Sequence, residues 1–292
     1  MKNFQENRIF GILLITLIYV GVAAVGIGSY MLLPFVFWLN LFLSDVFATV
    51  VVFIFSVLLK NASVYDPYWS VQPIVIILVF LISKGWTLLG GLLFGAVLFW
   101  GIRLTVNWAY TFYGFGYQDW RYTMLKEKTG KFYPIINFIG IHMVPTLVVY
   151  GCILPAVFVV YYKAVLRPLS LLFMAISVGA AVLQLIADIQ MHTFRAKKKA
   201  GKASGFIREG LWKYSRHPNY LGEILMWWGV GLTSVCVMPQ AWYLLAGALA
   251  NTLLFFCVSI PMADGRMAQR AGFEEYKSQT RMLLPIKKRI KE

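Results

Sequence analysis

The stretch PLSLLFMAISVGAAVLQLIA, residues 168–187, is apolar almost throughout and runs directly into Asp188, His192, Arg195 and Lys197-Lys198-Lys199. About 20 apolar residues are what a helix needs to cross the hydrocarbon core of a bilayer. The segment therefore reads as a membrane helix that leaves the bilayer through a polar stripe into a basic loop. Apolar runs of comparable reach lie on both sides of it, at 9–33, 35–59, 86–102, 134–162 and 239–260. A shorter run at 72–83 and a segment at 219–237 bring the number of spans to eight, or seven if 72–83 does not cross. The expected fold class is all-α: a polytopic membrane helix bundle, one membrane domain over residues 1–292.

Composition points the same way. The chain is 60% hydrophobic and 13% charged, whereas a soluble domain carries roughly a quarter of its residues charged. The first run is too long for the apolar part of a secretory signal and lacks a small-residue cleavage site, so it is taken as the first span. Cys152, Cys236 and Cys257 lie in or beside apolar segments and read as small core residues; no Cys or His spacing suggests a metal or a disulfide framework.

The net charge of +15 is mostly a matter of topology. With the amino terminus in the cytosol and sides alternating, all the Lys and Arg fall in cytosolic stretches except Lys84, Arg103, Lys163 and Arg167. That is the positive-inside pattern with an even number of crossings, both termini cytosolic. It argues against nucleic acid as a partner and leaves some charge for an anionic ligand or anionic lipid.

Chemistry begins at Tyr65-Asp66-Pro67-Tyr68-Trp69-Ser70, where Asp-Pro forces a turn and the aromatics also suit a plain interfacial belt. In the next span Trp100, Arg103 and Asn107 share a helix face, and an arginine there is costly unless it is paired or faces a polar cavity. Gln118-Asp119-Trp120-Arg121-Tyr122 follows as a polar, aromatic loop, and His142 stands alone in its span as a structural histidine. Gln184, Asp188, His192 and Arg195 then line one face over about three turns. They form either a cavity wall or an Asp–Arg ladder between helices.

The longest motif is Gly210-Leu-Trp212-Lys213-Tyr214-Ser215-Arg216-His217-Pro218-Asn219-Tyr220-Leu-Gly222-Glu223. Pro218 suits a first helical position, so this corner starts a helix at the membrane surface, where Lys213, Arg216 and His217 favour phosphate. Asn219 and Glu223 are one turn apart, and Glu223 needs a partner that Arg195 or Arg103 could supply. The spacing predicts that Asp188, Arg195, Asn219 and Glu223 face one shared cavity, with Arg195 pairing an acid. Asp264-Gly-Arg266 and Gly272-Phe-Glu-Glu-Tyr276, flanked by Arg270 and Lys277, close the chain's polar clusters. No GxGxxG in a phosphate-binding context and no GxxxxGK[ST] occurs, so any nucleotide is held outside a Rossmann fold or P-loop.

The corner, Gly-Leu-Trp-x-Tyr-Ser-Arg-His-Pro-Asn-Tyr-x-Gly-Glu, resembles the signature of the membrane steroid 5-alpha-reductase and sterol-reductase superfamily. The chain as a whole is similar to its bacterial-type branch, the domain-of-unknown-function 1295 proteins. The likeness runs from Asp66-Pro-Tyr-Trp-Ser through Arg103 and Trp120-Arg121-Tyr122 to Tyr276. It implies an NADPH-dependent reductase of an activated carbon–carbon double bond in a steroid-like or other lipid, in a bacterial inner membrane rather than endoplasmic reticulum. Residues 117–292 would be the reductase-like part with the cofactor site, and the spans of 1–116 the substrate side. By resemblance, Gln184, Asp188 and Arg195 touch the cofactor, followed by Trp212, Arg216, His217, Asn219, Tyr220 and Glu223, with Asp264, Arg266 and Tyr276 closing over it. The early Glu and following Tyr of the steroid enzymes have no matched counterparts. Asp66 and Tyr68 are the nearest acid and phenol, with Arg103 the third catalytic candidate.

Two other functions fit parts of the pattern. Isoprenylcysteine and phospholipid methyltransferases, which use S-adenosylmethionine, share an Arg-His-Pro-x-Tyr corner and a late Gly-x-x-x-Tyr tail. Against them stand the upstream Asp-Pro-Tyr-Trp, the extra spans and the stripe from Gln184 to Arg195. A lipid-binding or transport protein would need no cofactor. A lipid-like small molecule and the bilayer are the expected partners, with no obligate protein partner inferred.

Overall fold

Asn7 accepts a hydrogen bond from the Phe10 N–H and so begins α1, Arg8–Leu32. Pro34 ends it, because proline cannot continue a helix and biases the residue before it away from helical geometry. The chain reverses into α2, Phe37–Leu58. A 3-10 turn at Ala62–Val64, capped by Asn61, leads to α3, Tyr68–Lys84, which stops at Gly85 with φ +96°. Thr87 then caps α4, Leu88–Thr111, by accepting from the Gly90 N–H. This computed structural model describes residues 7–288.

The region expected as a loop around 118–122 is instead the start of a helix. Asp119 accepts from the Arg121 N–H and caps α5, Trp120–Thr129. The chain stays helical through α6, Tyr133–Ile136, a π-helical segment at Asn137–Met143 and α7, Val144–Tyr161. The wide turn lets the His142 ring bond the Asn137 carbonyl at 2.9 Å, within its own span rather than across to another helix. After α8, Pro168–Lys199, a loop and a 3-10 turn at Gly210–Lys213 lead to α9, Pro218–Val237. The last span combines a 3-10 turn at Pro239–Leu245, α10 at Ala246–Leu254, a π turn at Phe255–Ser259 and α11 at Ile260–Met267. A short α12, Phe273–Gln279, follows it.

Eight helical segments among the described residues are long and apolar enough to cross a membrane. The third owes its length to the Ala62–Val64 turn, which extends it to 23 residues and makes it long enough to cross. The protein is a multi-pass membrane helix bundle. Its polarity is inverted relative to a soluble protein: Leu13, Leu17 and Val20 on α1 are exposed, while Asp45, Arg103 and Glu223 are buried. Lipid has no polar groups to offer the chain, so polar side chains turn inward and pair with each other.

Helix α7 sits centrally, touching α2, α3, α4, α9 and α10, while the most extensive pairing is between α8 and α9. Glycine makes that pairing possible. A Cβ on Gly229 would lie 2.2 Å from Ser177 Oγ and 2.7 Å from the Phe173 carbonyl oxygen, so the backbones meet only because it has none. Ser177 Oγ donates to the Met226 carbonyl across the same seam at 3.1 Å. Small residues of this kind let membrane helices approach closely where lipid offers no hydrophobic drive.

Candidate functional site

The two polar stripes, on α4 and α8, face each other and pair rung by rung. Deepest is Glu223 of α9, which accepts from Trp100 Nε1 at 2.8 Å, Trp227 Nε1 at 2.9 Å and Gln184 Nε2 at 3.1 Å. Next, Arg103 forms an ion pair with Asp188 at 2.5 Å, their side chains 5% and 12% exposed. The third rung joins Asn107 Oδ1 and His192 Nε2 at 2.7 Å. This is a ladder that holds α4, α8 and α9 together. It corrects the expectation that Arg195 pairs an acid: Asp188 takes Arg103, and Glu223 takes indole and amide N–H groups.

The ladder ends at a large cavity of about 720 Å³ at the basic end of the bundle. Of the residues singled out in the sequence, Asp66, Arg195, Trp212, Arg216, His217, Asn219, Tyr220, Asp264, Arg266 and Tyr276 line it. Tyr68, Arg103, Gln184, Asp188 and Glu223 do not. Of the four expected to share one cavity, the structure therefore brings only Arg195 and Asn219 together there.

The corner and tail build one wall. His217 Nε2 and Asp264 Oδ1 lie 2.9 Å apart, and Arg216 donates to Asp264 at 3.3 Å and to the Thr280 carbonyl at 3.1 Å. The His217 ring stacks on Tyr220 with its plane tilted by 4°. The N–H groups of Arg216 and His217 donate to the Arg281 and Met282 carbonyls, at 2.9 Å and 3.1 Å. Those two donors are thus taken by the tail and are not offered to a phosphate. Tyr276 donates to the Trp212 carbonyl at 2.5 Å, and burial pushes its phenol up to about 12, so it keeps the donated proton at neutral pH.

The opposite wall comes from the turn before α3 and the start of α5. Tyr122 donates to Asp66, and the Asp119 N–H donates to Ser63 Oγ at 3.2 Å. Arg266 stands over the Trp120 ring, 4.2 Å from its centre, and so links α11 to α5.

Five cations, Arg195, Lys198, Arg216, Arg266 and Arg270, face this space against the carboxylates Asp66, Asp119 and Asp264. Arg195 is exposed and forms no ion pair or side-chain hydrogen bond with the described residues. Asn219 Oδ1 is buried and has no partner. A cavity of this size is within the usual range for small-molecule sites. A free cation and an orphaned acceptor on its wall are what a polyanionic ligand with amide donors would engage.

A second site lies inside the membrane between α1, α2 and α3. There Asp45 accepts from the Tyr68 hydroxyl at 3.0 Å and from Gln72 Nε2 at 2.7 Å, beside an apolar pocket that all three line. Asp45 is the only acid in residues 9–59, and nothing in the sequence joins it to Tyr68. Tyr68 thus belongs with Asp45, whereas Asp66, two residues earlier, faces the large cavity.

A family model described as a protein of unknown function (DUF1295) matches residues 52–280. An uncharacterized protein of Schizosaccharomyces pombe is 28% identical over 202 residues, covering 59% of this chain and 57% of that protein. This chain therefore spans less than two thirds of that relative's length. No solved structure matches.

Proposed function

The chain belongs to the DUF1295 family, and from that premise we propose a membrane-embedded, NADPH-dependent reductase of an activated carbon–carbon double bond in a lipid-like substrate. The observation that carries the reading is the charge of the large cavity, where five Lys and Arg face three carboxylates. Such a surplus suits the phosphates of a dinucleotide; S-adenosylmethionine, with its sulfonium cation, gains nothing from it. The resemblance of the corner to the steroid 5-alpha-reductases agrees with this.

The residues present fit the cofactor. Arg195 and Lys198 at the end of α8, Arg266 at the end of the last span and Arg270 just beyond it would hold its phosphates. Trp120 and Trp212 offer flat apolar surfaces, and Asn219 Oδ1 can accept from an amide N–H. NADPH supplies a hydride when bound. The protein's part in the chemistry falls to Asp45, Tyr68 and Gln72. Reduction of an enone needs a donor to the oxygen on which negative charge develops, and a proton for the carbon next to it. Tyr68, turning its hydroxyl hydrogen from Asp45 to that oxygen, would meet the first need. A proton carried by Asp45 would pass through the Tyr68 hydroxyl to the enolate, leaving Asp45 as a carboxylate held by the Gln72 amide.

Isothermal titration of the purified protein tests the reading. NADPH should bind more tightly than NADH, because the extra phosphate meets a surplus of cations, and S-adenosylmethionine should not bind. Equal affinity for both dinucleotides, or binding of S-adenosylmethionine alone, would count decisively against it. The orientation is part of the same proposal, since NADPH is made in the cytosol. Reporter fusions after residue 130 and after residue 202 should both read cytosolic; opposite sides would overturn the topology.

A further inference from the structure

Asp45, Thr49 and Ser56 recur at helical spacing on one buried face of α2, spanning about 16 Å of helix. Against this face packs the continuous helical run from α6 to α7, which carries Tyr133, Asn137, His142 and Thr146. His142 follows Asn137 by five residues, which a regular α-helix would turn well away from it. The π-helical turn takes in the extra residue and keeps both on one face. The two faces meet. The His142 ring stands edge-on to Phe53 of α2, centres 5.3 Å apart, and Thr49 donates to Thr146 Oγ1 at 3.2 Å.

Hydroxyls connect the deep part of this seam. Thr146 Oγ1 lies 2.9 Å from the Tyr65 hydroxyl, Thr49 also reaches the Tyr68 hydroxyl, and Tyr68 donates to Asp45 at 3.0 Å. The outer part is polar but unpaired. Ser56 Oγ, Asn137 Oδ1 and His142 Nε2 have no partner, although the three residues are only 2%, 6% and 0% exposed. Leaving them so costs free energy that ordered water between them would recover. The tautomer of His142 is set as well. A carbonyl only accepts, so the bond to the Asn137 carbonyl puts hydrogen on Nδ1 and leaves the Nε2 lone pair free. The His142 and Tyr65 rings, 4.8 Å apart between centres, join the outer part to the deep one. At the basic end of the bundle the seam finishes at half-buried Tyr133, which bonds Gln118 close to exposed Lys131. Packing alone explains none of the unpaired atoms.

We propose that this seam is a proton path, in which His142, Tyr65, Thr146 and Thr49 relay protons from the basic end of the bundle to the Asp45–Tyr68 pair. It rests on the reductase reading for its purpose. Each reduction takes one hydride from NADPH and one proton from Asp45, so Asp45 must regain one proton before the next. The lipid around the first three spans cannot supply it. Along the path, one proton enters from water at Tyr133, is held on His142 Nε2 and is released from the same atom. Each hydroxyl then passes its own hydrogen inward while accepting one from the outer side. The chain ends with its atoms unchanged and Asp45 neutral, and no electrons move along it. Rotation of the hydroxyls resets it. Buried His and acid side chains within spans serve membrane proton relays in this way. His142 is thus a relay residue that touches neither substrate nor cofactor, rather than a purely structural histidine.

The test is infrared spectroscopy of the full chain in lipid nanodiscs during a change from H2O to D2O, without nucleotide or substrate. The C=O stretch of protonated Asp45, identified by its loss in Asp45→Asn, shifts when the carboxyl takes up deuterium. Thr146→Val, which removes the hydroxyl and keeps the shape, should slow that exchange at least about tenfold. Thr146→Ser, which keeps the hydroxyl, should exchange as the parent does. His142→Phe should slow exchange comparably, and Thr146→Val serves if His142→Phe fails to insert. Exchange as fast in Thr146→Val as in the parent overturns the proposal, and so does a parent with no Asp45 band at any pH at which it stays folded. Equal slowing in Thr146→Ser would assign the effect to packing and overturn it too. Slowing by Asp66→Asn but not by Thr146→Val would bring the proton in from the large cavity instead, against the proposal. Slow exchange as expected with no binding of NADPH would sink the reductase reading and leave the proton path; the converse would sink the path alone.

Discussion

Replacing Asp188 by alanine is expected to destabilise the folded protein by about 3–5 kcal/mol, the cost of leaving one member of a buried ion pair uncompensated. Arg103 is the member left behind. Its side chain is 5% exposed, and its Nε already lacks a partner, so Asp188 is its main compensation. The outer face of the bundle meets lipid rather than water, so solvent cannot take over the lost contact. Arg103→Ala should be comparably damaging for the opposite charge. The double variant Arg103→Met with Asp188→Leu should recover most of the loss, because well-packed apolar residues often replace a buried pair without net cost. Reversible unfolding of the detergent-solubilised protein measures all three. If the double variant is as unstable as either single one, the rung serves more than packing, and the second charge then has a partner beyond the pair itself.

The spans were legible because bilayer thickness dictates their length, and a run as long and as apolar as 168–187 suits a lipid surround far better than a soluble surface. The third span was not secure from its apolar residues alone. Its extra length comes from Asn61 capping the turn at Ala62–Val64, where Asn61 also donates to the Phe115 and Tyr117 carbonyls at 2.9 Å. The helix at Trp120–Thr129 hid behind its polarity, although Asp119 is a cap residue of the commonest kind.

Periodicity placed Trp100, Arg103 and Asn107 on one face and Gln184, Asp188 and His192 on another. It could not say that the faces meet, since contact between residues 85 positions apart leaves no local trace. Glu223 shows a different limit. An arginine was the natural partner to expect for a buried carboxylate, but two indole N–H groups and an amide satisfy it without a cation. The corner's use of its own backbone was invisible for another reason. The bridge from Ser215 to Arg281 is made by main-chain atoms, which every sequence supplies equally.

Arg195→Ala should weaken NADPH binding roughly tenfold to a hundredfold, the equivalent of losing one hydrogen-bonded charge contact of about 1.5–3 kcal/mol. Arg195 separates the cofactor site from the ladder above it. It lies on the same face of α8 as Asp188 and His192, but those two are engaged with Arg103 and Asn107, while Arg195 lines the cavity and has no charge partner. Its removal therefore strands no buried acid, and folding should be nearly unchanged. Arg216→Ala is a less clean experiment, because it also frees Asp264 and the Thr280 carbonyl. Arg167→Ala, at the opposite end of the bundle, removes a cation that faces a different cavity and should leave affinity intact. The loss on Arg195→Ala should shrink at high salt, because an exposed cation contributes less to phosphate binding once screened. A folded Arg195→Ala variant that binds NADPH as tightly as the parent would remove Arg195 from the cofactor's contacts. The proposal would then rest on the remaining cations, Arg266 at the end of the last span and Arg270 beyond it, and on the corner itself.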